Sequence, residues 1–253
     1  MKVIFVHGVP ETSRVWDDLR AQLDVESMAL QLPGFGVPVP EGFVPDKDGY
    51  VAWLVDELRR FDEPVNLVGH DWGALLALRV ATLGEVELRS WAVDVAGVFH
   101  PDYEWHPYAV SLWEPGTGEQ VLAARRDAAP DDPNGSIAFQ VSLGVPLEAA
   151  VRMAAAHDEL MSRCILGLYR SARPNVGADW GDALTGPTVA PGLVLTATAD
   201  AVENEQWSRE VADRLDARVE RLDGMGHWWM FDRSGRVADV LRDFWRSVDG
   251  RTQ

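Results

Sequence analysis

Short apolar runs rich in β-branched residues alternate with amphipathic stretches of helical period along most of the chain. The apolar runs predict six strands, at residues 3–6, 25–29, 65–68, 90–95, 193–197 and 218–222. The amphipathic stretches predict helices at residues 16–23, 50–61, 74–83 and 237–248. Such alternation is typical of a parallel sheet with helices on both faces. The sequence therefore predicts an α/β fold with a mostly parallel sheet of about six strands.

The pattern changes between residues 97 and 191, where helical signals punctuated by Trp and Pro replace the strand signals. This interval includes a loop rich in Pro, Asp, Asn and Gly at residues 130–136. Because the interval follows the fourth strand, we expect it to lie above the carboxyl ends of the strands, where ligands bind in open α/β sheets. The sequence predicts a helical cap at 97–191, inserted into a core formed by 1–96 and 192–253, with a pocket beneath it.

Composition narrows the classes of partner. Hydrophobic residues make up 47% and charged residues 25%, as in ordinary globular proteins. A formal net charge of -17 repels phosphate backbones and anionic lipid surfaces, so neither nucleic acid nor a membrane is expected as a partner. The single Cys164 cannot form an intramolecular disulfide. The apolar run at residues 1–6 is too short for a signal peptide or a membrane span, so we expect a cytoplasmic location.

A strand, a sharp turn and a helix follow one another without a linker at residues 65–83. The turn reads Gly-His-Asp-Trp-Gly at 69–73, the pattern of a nucleophile elbow with Asp71 in place of serine. At a helix N-terminus the dipole and the free N–H groups favour an ionised carboxylate. Such a carboxylate can attack an electrophilic carbon without a base and form an ester. We predict that Asp71 is a nucleophile; the alternative is an ordinary helix cap.

Hydrolysis of that ester requires an activated water, and His227 is the best candidate for the base. It lies in Gly-Met-Gly-His-Trp-Trp at residues 224–229, just beyond the last predicted strand. Asp200 ends the preceding strand, and the chain order nucleophile, acid, histidine is that of a large group of triad hydrolases. Asp200 is therefore predicted to orient His227, with Asp94 at the end of the fourth strand as the alternative acid.

The loop after the first strand reads His-Gly-Val-Pro-Glu at residues 7–11. Its backbone N–H at Val9 is expected to face the elbow and to act together with the backbone N–H of Trp72. Two such donors stabilise the oxyanion that forms when water attacks the ester carbonyl. The sequence thus predicts an oxyanion hole made by Val9 and Trp72.

The motifs at residues 7–11 and 69–73 resemble those of the epoxide hydrolases of the α/β-hydrolase superfamily. The resemblance implies an α/β-hydrolase fold, ring opening by Asp71, hydrolysis to a vicinal diol, and no metal or organic cofactor. It also implies two cap tyrosines that hold the epoxide oxygen. Tyr108 stands before a Glu-Pro-Gly turn at 114–116, and Tyr169 stands before an arginine, as in that family. Tyr103 is the alternative to Tyr108.

Two features depart from the family pattern. The family usually has two strands before the His-Gly-x-Pro loop, whereas this chain starts at the third, so a shortened sheet is expected. Trp228 and Trp229 follow the histidine, and we expect both to contact the substrate. Two indoles in the pocket would favour an apolar or aromatic epoxide as the small-molecule substrate.

Two other functions fit parts of the pattern. A haloalkane or haloacid dehalogenase shares the Asp nucleophile, the histidine and the Asp-Trp-Gly sequence. It must also bind halide, often with an Asn after His-Gly, and Val9 has no side-chain donor at that position. A non-catalytic ligand-binding homologue would need no complete set of Asp, His and Asp. The two tyrosines favour the epoxide hydrolase.

Overall fold

The computed structural model describes residues 1–250, in which six strands and eleven α-helices are joined by loops and short 3-10 turns. The strands are β1 (Lys2–Val6), β2 (Glu26–Leu30), β3 (Val65–Gly69), β4 (Leu88–Val93), β5 (Gly192–Ala197) and β6 (Arg218–Leu222). The helices of the first half are α1 (Asp17–Ala21), α2 (Lys47–Leu58), α3 (Trp72–Leu83), α4 (Pro107–Ser111) and α5 (Thr117–Arg126). Those of the second half are α6 (Ser136–Ser142), α7 (Leu147–Ala156), α8 (Glu159–Ser171), α9 (Glu205–Arg214), α10 (Trp229–Asp232) and α11 (Ser234–Asp249).

All six strands form one sheet in the order β2-β1-β3-β4-β5-β6, and every neighbouring pair is parallel. The predicted six-stranded parallel sheet is confirmed. The chain runs from β1 to β2 on one side and then crosses to β3 on the other side of β1. The strand order therefore reverses between β1 and β3, and open α/β sheets bind ligands beyond the carboxyl ends of the strands at such a point.

Strand β1 shows how the sheet is buried on both faces. Val3 and Phe5 pack in one hydrophobic cluster, together with residues of α1 and α11, whereas Ile4 and Val6 pack in a second cluster with α2 and α3. All four side chains are fully buried. Because successive side chains of a strand point to opposite faces, an uninterrupted apolar run is what a doubly covered strand requires.

Helix α3 begins at Trp72, directly after Asp71 and two residues earlier than its apolar pattern predicts. It consists largely of Ala and Leu, which are strong helix formers, and it ends at Gly84, whose φ of +66° provides a left-handed C-cap. Helix α9 is absent from the elements predicted from sequence. It is dominated by charged residues and buries only Ser208, Val211 and Ala212, so its apolar stripe is too narrow to show in the sequence.

Between β4 and β5 the described chain forms helices, α4 to α8, and short 3-10 turns, with no strand. This content agrees with the inserted helical cap, and we refer to residues 97–191 as the proposed cap. The division into 1–96, 97–191 and 192–253 stays a prediction, and its last three residues lie outside the described part of the chain. Within residues 1–250 no helix is both long enough and apolar enough to cross a membrane.

Candidate active site

The elbow at residues 69–73 holds Asp71 in a strained backbone conformation, with φ 52° and ψ -124°. A non-glycine residue at positive φ is uncommon and persists where the surrounding structure enforces it. The neighbouring glycines provide that enforcement through close packing. A Cβ at Gly69 would lie 2.3 Å from the carbonyl oxygen of Gly73, and a Cβ at Gly73 would lie 2.3 Å from that of Val6. Only glycine allows this turn to close against β1.

The carboxylate of Asp71 lies against the loop after β1. The backbone N–H of Val9 donates a hydrogen bond of 2.8 Å to Oδ1, and the backbone N–H of Trp72 lies close enough to this carboxylate to lower its pKa. A Cβ at Gly8 would lie 2.4 Å from Asp71, so glycine is required for the approach. The two donors predicted as an oxyanion hole thus converge on one carboxylate. They already occupy the positions from which an ester oxygen at Asp71 would be stabilised.

His227 and Asp200 form a hydrogen-bonded pair beside the nucleophile candidate. Nδ1 of His227 lies 2.8 Å from Oδ2 of Asp200, whose other oxygen accepts the backbone N–H of Val202 at 2.8 Å. This arrangement turns Nε2 of His227 toward Asp71, 3.9 Å from its Oδ2. The separation is too long for a hydrogen bond, so Nε2 is free to accept a proton from a water beside the carboxyl group.

The charges of these groups follow from their surroundings. Burial raises the pKa of Asp71 from 3.8 to about 6, although the nearby His227 lowers it in part. Burial opposes the charged form of His227, but the hydrogen bond to Asp200 and its charge outweigh burial and raise the pKa of the imidazole. In turn, the pKa of Asp200 lies below its ordinary value despite burial, because His227 donates to it. At neutral pH Asp71 is ionised and can attack.

A second charged group lies buried directly behind the elbow. His70 lies between two carboxylates, with Nδ1 2.5 Å from Oδ2 of Asp94 and Nε2 3.2 Å from Oε1 of Glu11. The second contact is an ion pair without the alignment of a hydrogen bond. Burial opposes the charge, yet the two carboxylates raise the pKa of His70 well above its ordinary value. Likewise, burial of Glu11 is outweighed by His70, and the pKa of Glu11 falls to about 2.

The indoles of Trp228 and Trp229 complete this buried network. Trp228 Nε1 donates to Glu11, and Trp229 Nε1 donates to Oδ2 of Asp94 at 2.6 Å. The other Asp94 oxygen accepts the backbone N–H of Asp71 at 3.0 Å. Asp94, the alternative acid, is therefore engaged with His70 and the elbow, while Asp200 contacts His227. Trp229, predicted to contact the substrate, is instead fully buried against Asp94 and absent from the cavity lining, which leaves Trp228 as the indole that a substrate can reach.

A cavity of about 340 Å³ opens above Asp71, within the range of small-molecule pockets. Its core-side lining includes Val9, Asp71, Asp200, His227 and Trp228. Its cap-side lining includes Tyr108, Arg125, Gln140, His157 and Tyr169. The cavity lies at the carboxyl ends of the strands where the sheet order reverses, as the fold predicts.

The two predicted tyrosines both line this cavity, and the alternative does not. Tyr169 on α8 packs edge-on against the indole of Trp72, with ring centroids 5.3 Å apart. Burial and the charge of Asp71 raise the pKa of Tyr169 well above 10, and burial also raises that of Tyr108 on α4. Both hydroxyls therefore remain protonated donors at neutral pH. Tyr103 packs between the rings of Trp105 and Trp207 and is absent from the cavity lining.

Several residues of the site were not identified from the sequence. Glu11 and His70 stand inside the two quoted motifs, but their pairing depends on the crossing of β1 and β3. Arg125, Gln140 and His157 come from three separate stretches of the proposed cap, and no spacing in the sequence connects them. Among residues 1–250, no group of three or more His, Cys, Asp or Glu side chains is arranged to hold a metal ion.

Comparison with known proteins identifies the family. Residues 3–240 match the model of the alpha/beta hydrolase family. A haloalkane dehalogenase DbeA loop variant from Bradyrhizobium elkanii is similar in structure, with a TM-score of 0.74, 19% identity, and coverage of 99% of this chain and 91% of the other. Epoxide hydrolase A from Mycobacterium thermoresistibile gives a TM-score of 0.71, 22% identity, and coverage of 97% and 91%.

Epoxide hydrolase VrEH1 from Vigna radiata gives a TM-score of 0.70 at 17% identity, with coverage of 97% of this chain and 91% of the other. Among curated proteins, no similar sequence was found. At these identities the structural matches establish the fold alone, whereas the family model covers most of the chain. The chain belongs to the alpha/beta hydrolase family.

Proposed function

We propose that this protein is an epoxide hydrolase that uses Asp71 as its nucleophile. The observation that carries the proposal is that Tyr108 and Tyr169 line the same cavity as Asp71 and His227. A carboxylate nucleophile, a histidine base and two hydroxyl donors are the groups that ring opening and ester hydrolysis need. The cytoplasmic location expected from the sequence stays a prediction.

In the first step an Asp71 oxygen attacks an epoxide carbon, and the C–O bond of the ring breaks. Oδ1 is held by the Val9 N–H, and Oδ2 faces His227, so Oδ2 is the oxygen free to attack. The electron pair of the broken bond stays on the former ring oxygen, which takes a proton from a tyrosine hydroxyl. An unassisted alkoxide is a poor leaving group, so the donors must be close when the bond breaks.

In the second step water attacks the carbonyl carbon of the ester at Asp71. Nε2 of His227 accepts a proton from that water, and Asp200 stabilises the imidazolium that forms. The N–H groups of Val9 and Trp72 hold the developing oxyanion. Collapse of the tetrahedral intermediate expels the vicinal diol as an alkoxide, which takes the proton of the imidazolium. The new Asp71 carboxyl group gives its proton to the tyrosinate left by ring opening, so the carboxylate and the tyrosine hydroxyl are both restored.

Dehalogenation is the second candidate, because one observation favours it. The indole Nε1 of Trp72 is buried and has no hydrogen-bond partner among the described residues, and a halide could accept that bond. However, Trp72 is not part of the cavity lining, since its ring stacks on Trp105 and meets the edge of Tyr169. This shielding, together with the lack of a side-chain donor at Val9, favours the epoxide.

Turnover of matched substrates tests the proposal. Wild-type protein is incubated with terminal and aryl epoxides and with haloalkanes of the same carbon skeletons, and diol and halide release are measured. Asp71→Ala, checked for folding by circular dichroism, provides the blank for each substrate. We expect Asp71-dependent diol from epoxides and no halide above the blank. Halide release without diol formation would identify a dehalogenase and overturn the proposal. Formation of neither product would exclude both functions.

A further inference from the structure

Arg125 on α5 brings a positive charge to the cap side of the cavity. Its guanidinium contacts the rings of Tyr108 and Phe139, with Cζ 4.2 Å from each ring centroid. Guanidinium groups stack on aromatic rings through their faces, while their N–H donors lie in the plane. The two rings therefore fix Arg125 in place and leave its donors available. Of the cavity-lining residues in the described chain, Arg125 is the only lysine or arginine.

The absence of a carboxylate partner distinguishes Arg125 from its neighbours. Within residues 1–250 no Asp or Glu forms an ion pair with Arg125. The adjacent Arg126 binds both oxygens of Asp127, at 2.7 Å and 2.9 Å, and Arg170 binds Glu119 at 2.9 Å. Acidic residues outnumber basic ones 40 to 23 in the sequence, yet no carboxylate among the described residues pairs with this arginine of the cavity lining. A partner for Arg125 can come from a ligand.

Gln140 provides a second, independent sign of a missing ligand. Its side chain lines the same cavity, is only 1% exposed, and its Oε1 has no hydrogen-bond partner among the described residues. Buried polar groups in folded proteins are almost always paired, so an unpaired amide indicates a partner that is supplied on binding. Either end of the amide can face the cavity, because rotation about its last bond exchanges oxygen and nitrogen.

His157 also lines the cavity, but it is not a second cation. Burial, reinforced by the charge of Arg126, lowers the pKa of His157 to about 4, so the imidazole is neutral at neutral pH. Its Nε2 lies 3.0 Å from Oγ of Ser162. Burial also lowers the pKa of His106, the other histidine on the cap side of the cavity. Among the described lining residues of the proposed cap, Arg125 alone therefore carries a positive charge, and one guanidinium matches one singly charged group.

We propose that Arg125 and Gln140 form a subsite for a carboxylate carried by the substrate, so that the substrate class is an epoxide bearing a carboxylate group. The carboxylate is inferred from Arg125 and Gln140, whereas the epoxide part of the substrate rests on the proposed function. A carboxylate can accept two parallel N–H bonds from one guanidinium. The guanidinium of Arg125 stacks on the ring of Tyr108, whose hydroxyl is proposed to hold the epoxide oxygen. The carboxylate and the epoxide of one substrate would therefore bind on either side of this residue. An apolar spacer, such as one aromatic ring, suits the remaining lining.

A matched pair of ligands isolates the charge. 4-Ethylbenzoate and 4-ethylbenzamide have nearly the same shape, cannot be turned over, and are titrated into the protein by calorimetry. We expect wild type to bind the benzoate at least about tenfold more tightly, since the carboxylate gains charge-assisted bonds. Arg125→Gln should abolish this preference. Arg126→Gln, which removes the neighbouring but paired arginine, should retain it.

Turnover of the corresponding epoxides extends the test to the reaction. The ratio of kcat/KM for 4-(oxiran-2-yl)benzoate to that for 4-(oxiran-2-yl)benzamide should fall by about tenfold in Arg125→Gln and stay unchanged in Arg126→Gln. The ratio cancels any displacement of Tyr108, because both substrates experience it. If Arg125→Gln does not fold, Arg125→Lys replaces it. Lysine keeps the positive charge but lacks the two parallel N–H donors of the guanidinium, so the preference for the carboxylate substrate should be reduced. An unchanged preference in Arg125→Lys contradicts the assignment.

The outcomes separate this subsite from the proposed function. No preference for the benzoate in wild type, or a preference that survives Arg125→Gln, overturns the subsite even if epoxides are hydrolysed. A preference that depends on Arg125, without diol from any epoxide, leaves the carboxylate subsite in place and overturns the epoxide hydrolase.

Discussion

The polar groups on the two sides of the cavity are satisfied to very different degrees. Below Asp71 lies a buried cluster of Glu11, His70 and Asp94, which we call the floor. Each carboxylate of the floor accepts hydrogen bonds from an indole and from a backbone N–H, and both contact His70. Opposite it lies the cap wall of Arg125, Gln140 and His157. Among residues 1–250, no acid pairs with its arginine, and Oε1 of Gln140 and Nδ1 of His157 have no hydrogen-bond partner.

The difference separates groups that prepare chemistry from groups that recognise a ligand. The floor connects four segments of the chain. Glu11, after β1, accepts the Gly8 N–H; Asp94, after β4, accepts the Asp71 N–H of the elbow; and each accepts an indole N–H from the segment next to His227. Donors fixed before the substrate arrives need no reorganisation during the reaction. The cap wall instead leaves hydrogen-bonding capacity that a bound ligand can satisfy. Substitutions should therefore impair chemistry and ligand recognition separately.

Removing the nucleophile should have the largest effect on activity and almost none on folding. In Asp71→Ala we expect epoxide turnover to fall by roughly 10⁴-fold or more. Asp200, the other carboxylate in the described cavity lining, is engaged by His227 and the Val202 N–H and does not replace it. The melting temperature should be unchanged or higher, since burial disfavours the charged form of Asp71 and raises its pKa to about 6. Turnover assays and thermal unfolding check both parts. A folded variant with near wild-type turnover would exclude Asp71 as the nucleophile.

The two candidate acids should fail in different ways. Asp200→Asn should lower the rate of ester hydrolysis by about 10³–10⁴-fold with little loss of stability, because it disturbs the orientation of His227. Asp94→Asn should instead reduce the free energy of unfolding by roughly 3–5 kcal/mol, since it leaves His70 charged with one carboxylate fewer. Single-turnover kinetics and denaturant unfolding distinguish the variants. If Asp200→Asn hydrolyses the ester faster than Asp94→Asn does, Asp94 takes the role of the acid.

The cap tyrosines should affect ring opening but not the later hydrolysis. Tyr108→Phe and Tyr169→Phe should each slow formation of the ester by about 10²-fold, as each removes one donor to the epoxide oxygen. Stopped-flow tryptophan fluorescence measures this step. Tyr103→Phe is the matched control, because Tyr103 is buried nearby but outside the cavity lining. Equal rates in all three variants would remove the tyrosines from the mechanism.

The smallest effect concerns pH. The attacking form of Asp71 is the ionised one, and burial raises its pKa to about 6. The rate of ester formation should therefore be constant above that pH and fall about tenfold for each pH unit below it. A solvent-exposed carboxylate would keep its rate down to a pH of roughly 4. Ester formation that is unchanged at a pH of about 5 would show that Asp71 is less desolvated than the cavity indicates.

The sheet was predictable because its central strands β1, β3, β4 and β5 are short, largely apolar runs that end at turns. Residues 65–83 show this most clearly, since the apolar strand, the glycines and the Ala- and Leu-rich helix all agree. The neighbouring strand β4 ends at Val93, and Asp94 thus stands at the strand end where an acid was considered. Its actual partners could not be predicted, because His70 and Trp229 reach it from other segments of the chain.

The cap wall could not be predicted either, because its residues are also brought together from separate segments of the chain. Arg125 and Arg126 are adjacent and identical in sequence, yet one contacts two aromatic rings in a cavity and the other binds Asp127. The rotation of α5 about its axis determines which of the two arginines faces the cavity. Trp228 and Trp229 were predicted as a pair for the same pocket, but adjacent residues point in different directions. Trp228 reaches the cavity, and Trp229 lies below it.

The central claim is that Asp71 forms a covalent ester with an epoxide, and one variant tests it directly. His227→Gln leaves Asp71 able to attack but removes the base for hydrolysis, so the ester should accumulate. The variant is incubated with epoxides and with matched haloalkanes, digested at low pH and analysed by mass spectrometry. Ring opening expels nothing, so the account predicts an adduct on the peptide containing Asp71 that equals the full mass of the epoxide. Adducts formed only from haloalkanes, lighter by the lost halide, or no adduct at all, would contradict it.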